Sequence, residues 1–167
     1  MASGAAKIDY DGRTVDLLML KTILDAPAVR VPVDVDVSNV SGEPMIVTGV
    51  EKMVQRYANA FITALGSAKF RDGHGTNLVP SVAEGLVYNM PTLEAVAAEA
   101  NMMARTQTKE GDEETDEDTP ADESLEESEV TGLSYSRERS RVEISVLLTT
   151  ASGQSYTYII PVAVGVH

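Results

Sequence analysis

Hydrophobic and polar positions alternate with a period of two toward both ends of the chain and recur at helical spacing in its middle. Residues 29–38, VRVPVDVDVS, set Val29, Val31, Val33, Val35 and Val37 on one side and Arg30, Asp34 and Asp36 on the other, the mark of a half-buried strand. Pro32 has no N–H to give, so that strand belongs at an edge or pairs on one side only. Upstream, Ile8 to Tyr10 and Arg13 to Leu17 flank Asp11 and Gly12, a pair suited to a tight hairpin turn. Thr48 and Glu51 stand at capping-box spacing, and Val50, Met53, Val54, Tyr57, Phe61 and Leu65 then predict a helix that Gly66 stops. A second helix is expected from Pro80 and Ser81, with Ser81 and Glu84 at the same spacing and Val82, Leu86 and Val87 following. A third begins near Pro91 and carries Leu93, Val96, Ala97, Ala100 and Ala104 on one face, with Met102 and Met103 as adaptable core filling.

The strand pattern then returns. Val130, Leu133 and Tyr135 suggest one strand, Ser136 to Ser140 a charged turn, and residues 141–149 alternate Val142, Ile144, Val146 and Leu148 against Arg141, Glu143, Ser145 and Leu147. Ser152 and Gly153 turn the chain into Tyr156 to Val162, whose β-branched and aromatic residues on both faces predict that both are covered; Pro161 to His167 is apolar. The expected class is α+β: helices packed on a small antiparallel or mixed sheet that ends in a β-hairpin.

Charge divides this pattern. Of 26 acidic residues, 12 fall between Glu110 and Glu129 with no basic residue among them, which leaves 14 acidic against 13 basic elsewhere, a net of −1 out of −13. Such a run repels itself and holds little that is apolar, so it reads as a solvated or disordered loop, solubilising or facing a basic partner. Four segments follow: an N-terminal strand-rich extension over 1–45, a helical part over 46–108, an acidic loop over 109–129, and a hairpin over 130–167 that completes the same domain. The 43% apolar content of the 167 residues suffices for one core.

Composition removes most chemistry. With no Cys and only His74 and His167, disulfides, thiolate catalysis and Cys- or His-rich metal sites are excluded. Asp34 and Asp36 lack the Gly and closing Glu of a calcium loop. The segment LGSAKFRDGHGTNLVP lacks the order of a phosphate-binding loop, and neither Ser67 nor His74 has the surroundings of a nucleophile. Gly66, Gly73 and Gly75 there read as turn residues between helices. No basic stripe exists for nucleic acid, and neither a signal peptide nor a membrane span is evident, so the expectation is a chain made in a cytoplasm, without membrane insertion, catalytic residues, metal or cofactor.

Residues 49–82, GVEKMVQRYANAFITALGSAKFRDGHGTNLVPSV, resemble the hallmark of the phage baseplate wedge or sheath-initiator family, which also includes the TssE component of type VI secretion baseplates. That family shows a helix with a Gln near its middle, a Leu-Leu-Thr-like exit, then Gly-Ser or Gly-Glu, a short loop, and a Gly-Thr or Phe-Gly signature before the next helix; Gln55, Thr63, Gly66, Ser67, Gly75 and Thr76 stand at those places. The likeness runs over residues 46–163, with the acidic tract as an insertion, and leaves residues 1–45 without a counterpart. Many members carry a Glu-Pro-Arg triplet before the last strands, where this chain has Glu123, Ser124 and Leu125, or Glu126, Glu127 and Ser128.

The resemblance implies a structural role in a virion's tail baseplate, with the tail sheath protein and the wedge and hub or tube proteins as partners. It implies assembly rather than hydrolysis, although members are often labelled lysozyme-like, and no pair of carboxylates in the sequence stands out for glycoside cleavage. The sheath contact would fall on Val142, Ile144, Val146, Tyr156, Thr157, Tyr158, Ile159 and Ile160. The wedge or core helix would use Val50, Met53, Val54, Gln55, Tyr57 and Phe61. A small α+β binding module with a regulatory acidic loop is the alternative, and it would need a pocket with convergent polar groups.

Overall fold

A computed structural model describes residues 16–17, 31–32, 46–69, 71, 73–113, 119–136 and 141–163. Its elements run β1 (Asp16–Leu17), β2 (Val31–Pro32), β3 (Ile46–Val47), α1 (Gly49–Ile62), α2 (Leu78–Ala83), α3 (Met90–Glu113), β4 (Leu125–Ser136), β5 (Arg141–Thr150) and β6 (Ser155–Ala163). The Asp11–Gly12 turn, the rest of the 29–38 strand, the tip at 137–140 and the tail beyond 163 lie outside the described residues. Asp16 and Leu17 pair antiparallel with Val47 and Ile46.

The helices pack against the antiparallel sheet of β4, β5 and β6, an α+β arrangement, and β2 adds to that sheet in parallel beside β6. The sheet order is β2-β6-β5-β4, so β5 is covered on both edges. Along β5 every second residue is buried: Val142, Ile144, Val146, Leu148 and Thr150 face inward, and Arg141, Glu143, Ser145, Leu147 and Thr149 face out. Cross-strand register carries the inner face onto Tyr158, Ile160 and Val162 of β6 and onto Val130 and Leu133 of β4. Met53, Val54, Tyr57 and Phe61 of α1, Leu78 and Val82 of α2, and Leu93, Ala97, Ala100 and Ala104 of α3 pack over that face as one core. The alanines let α3 approach closely.

The helix boundaries differ from the spacing-based expectations for local reasons. α1 ends at Ile62 rather than near Gly66, because Thr63 turns extended and Ala64 bridges Thr76 in parallel; Leu65 is left exposed. α2 starts at Leu78, two residues before Pro80, whose missing N–H would lack an intrahelical partner in a first turn anyway. Asn89 caps α3, its Oδ1 accepting from the Thr92 N–H at 2.8 Å. Met102 is 69% exposed, which corrects its reading as core filling.

The acidic tract is the largest correction. Its first residues, 110–113, are the last turn of α3, and residues 125–129 open β4. Leu125, the tract's single large apolar side chain, is 1% exposed and pairs with Thr150. Strong helix formers such as Arg105, Gln107, Lys109 and Glu110 carry α3 beyond the expected end, and the Arg56 guanidinium anchors that end through an ion pair with Asp112. No helix among the described residues is long and apolar enough to cross a membrane.

Candidate functional site

Two places gather the residues singled out from the sequence: the junction where the loop after α1 meets α3, and strands β5 and β6 of the sheet. At the junction, Thr76 is fully buried. Its Oγ1 donates to the Phe61 carbonyl at 2.8 Å and accepts from the Leu78 N–H at 3.3 Å, so one hydroxyl closes α1 and opens α2. Its backbone pairs with Thr63 and Leu65 at 2.8 and 2.9 Å. Gln107 of α3 grips the neighbouring glycine from both sides: Gly75 N–H donates to Oε1 at 2.9 Å, and Nε2 donates to the Gly75 carbonyl at 2.9 Å and to that of Gly73 at 3.3 Å. An amide placed this way substitutes for a neighbouring strand.

Gly75 has φ +101°, and a Cβ there would lie 2.6 Å from the Thr63 carbonyl oxygen. Gly75→Ala is therefore expected to destabilise by about 2–3 kcal/mol, through backbone strain and a contact with backbone that has no room to yield. A thermal melt lowered by roughly 5–10 °C would register that loss in a chain of this size. Gly66 also has positive φ, and its N–H donates to the His74 carbonyl at 3.2 Å. Ser67 is exposed and takes part through its backbone, donating to the Ala64 carbonyl at 3.0 Å. Burial, with the Arg71 charge added, lowers the pKa of His74. The loop after α1 is thus a brace between helices.

The helix residues face the same core. Met53, Val54, Gln55, Tyr57 and Phe61 are buried, and Val50 packs against the core edge. The Tyr57 hydroxyl donates to Asn101 Oδ1 at 2.6 Å, and Asn101 Nδ2 donates to the Ser128 carbonyl at 3.1 Å, tying α1, α3 and β4 together. Burial pushes the Tyr57 phenol well above its ordinary pKa. This face of α1 is filled by its own chain.

At the start of α1 the expected capping box does not form: Thr48 is the N-cap but makes no side-chain cap bond. Glu123 does that work from 74 residues away, its Oε1 accepting from the Gly49 N–H at 2.9 Å, with Lys52 Nζ 3.9 Å from Oε2. Glu123 is 1% exposed. A carboxylate at a helix N-terminus is favoured by the helix dipole as well as by the hydrogen bond. Glu123, Gln107 and Asn101 were not singled out by pattern, since a buried acid inside an acidic run and polar residues on a helix look like solvent-facing positions. Leu125, alone among charges, was the one available signal.

In the sheet, Val142, Ile144, Val146, Tyr158 and Ile160 belong to the core, which corrects their nomination as side chains of an interface. Tyr156 is half-buried, Thr157 is exposed, and Ile159 is half-buried on the outer face. Burial, and then the charges of Glu51 and Tyr156, raise the pKa of Tyr158; burial also raises that of Glu51. Beyond β6, among the described residues, lies β2, two residues in parallel register, Val31 with Tyr158 and Pro32 with Ile159. Among the described residues no group of three or more His, Cys, Asp or Glu could hold a metal ion. Comparison with protein-family models, with curated proteins and with solved structures returns no match.

Proposed function

We infer that this chain is a non-enzymatic structural component of a contractile tail baseplate or related injection machine, and that the outer edge of β6 accepts strands of the first sheath ring. The observation that carries the reading is the form of β6. It is nine residues long, pairs with β5 without a register shift, has its inner face locked into the core, and has its outer edge met, among the described residues, by a strand of two residues. Strand addition to such an edge draws its affinity from main-chain hydrogen bonds and asks little of side-chain identity. The likeness of residues 49–82 to the sheath-initiator family supplies the partner. Thr157 and Ile159, not the core-facing Val142, Ile144 or Tyr158, are the side chains that would flank an added strand.

The test is assembly of tails carrying Thr157→Pro, with Ile159→Asp as a second variant that keeps every backbone donor. Proline removes an N–H from the strand and disturbs its outer edge. Circular dichroism first selects variants that remain folded. Baseplates and tubes without sheath are the expected images, and normally sheathed tails from both folded variants overturn the reading.

A further inference from the structure

The opposite margin of the sheet carries a second, differently built feature. β4 is the last strand on its side among the described residues, and its register with β5 shifts twice, between Leu125 and Glu127 and between Val130 and Gly132. Over the first part, side chains of α3 occupy the strand's carbonyls: Arg105 donates to that of Glu126 and Asn101 to that of Ser128, both at 3.1 Å. Bulges and covering side chains are the usual means of blunting a sheet edge. From Gly132 to Ser136, among the described residues, neither device is present. Those residues pair regularly with Ser145 through Arg141, and Leu133, Ser134 and Tyr135 carry no charge.

Beside this stretch lies a groove of about 470 Å³, lined by Val82, Val87, Met90, Leu93, Tyr135 and Val142, with no charged side chain among the described residues of its lining. Tyr88 and Tyr135 stand at it 79% and 54% exposed. Farther along the same edge, Glu126, Glu127 and Glu129 are exposed, with Arg105 the cation hydrogen-bonded there. Edge, apolar recess and acidic flank therefore follow one another along a single strand.

We propose that the edge of β4 from Gly132 to Ser136, with the groove beside it, docks an extended segment of a partner protein. That segment places an apolar side chain in the groove and Lys or Arg where it passes Glu129 and Glu127. Its backbone supplies the hydrogen bonds that alternate residues of β4 direct away from β5, and the recess and the carboxylates select its sequence. This surface is distinct from the β6 edge and does not depend on what binds there.

The probe is an acetylated eight-residue peptide, lysine alternating with valine over one half and serine with phenylalanine over the other. Its reversed sequence is used as well, so that either strand direction is offered to the full chain. Binding of one of them is followed by NMR, with shifts expected at Leu133, Tyr135, Met90 and Leu93. N-methylation of alternate backbone nitrogens on the pairing side, exchange of lysine for glutamate in the peptide, and Met90→Lys in the protein are each expected to weaken binding at least about tenfold, since each removes one of the three sources of recognition. An unchanged melt of Met90→Lys separates this from misfolding. The proposal falls if neither peptide binds, if N-methylation changes nothing, or if the shifts map to residues 155–163. It falls equally if sedimentation shows a dimer that Met90→Lys dissolves, since a second copy would then be the occupant.

Discussion

Removing residues 110–128 is expected to abolish the cooperative melt. The deletion takes away the Asp112 end of α3, the Glu123 cap on Gly49, the buried Leu125 and the opening of β4 against Thr149 and Thr150. A buried leucine alone is worth about 2–5 kcal/mol, and losing a buried charge-assisted cap adds about 1–3 kcal/mol. Together with lost strand pairing, these approach the roughly 5–15 kcal/mol that holds a domain folded. Replacing only residues 114–118 by a Gly-Ser segment of equal length removes none of these contacts, and its melt is expected within about 3 °C of the parent. Calorimetry on the two variants checks both statements, and a cooperative parent-like transition in the long deletion would show that these contacts are dispensable.

Phe61→Ala is expected to cost about 3–5 kcal/mol, lowering the melt by roughly 10–15 °C. Phe61 has no exposed surface, stacks obliquely on Tyr57 with ring centroids 5.7 Å apart, and lies where α1, Thr76 and α2 converge. Chemical denaturation gives the magnitude. A variant that unfolds at the parent's midpoint would mean that the site refills, contrary to the packing seen around it.

Periodicity revealed the skeleton because its causes are local. The alternation in residues 141–149 is the burial pattern of β5 itself, and Leu93, Ala97, Ala100 and Ala104 are the buried stripe of α3. Long-range effects were hidden. Nothing local to Thr48 and Glu51 says that the helix start will be capped by Glu123, and nothing in VEISV separates a strand that offers its side chains from one that buries them. Composition misled at 110–129, where average charge outweighed Leu125 and the helix-forming residues before it. Whether a strand is central or at an edge depends on its neighbours, so the sheet's two margins became legible only with the topology.

The Glu123 cap has a consequence for the order of events during synthesis. A ribosome releases the start of α1 long before residue 123, so the nascent helix begins life with Gly49 answered only by water. β4, β5 and β6 are close in sequence and need only short loops to pair, whereas the Gly49–Glu123 bond closes a separation of 74 residues. The first turn of α1 therefore settles late, when the last third of the chain has arrived, and until then its apolar face is open to whatever the growing chain meets.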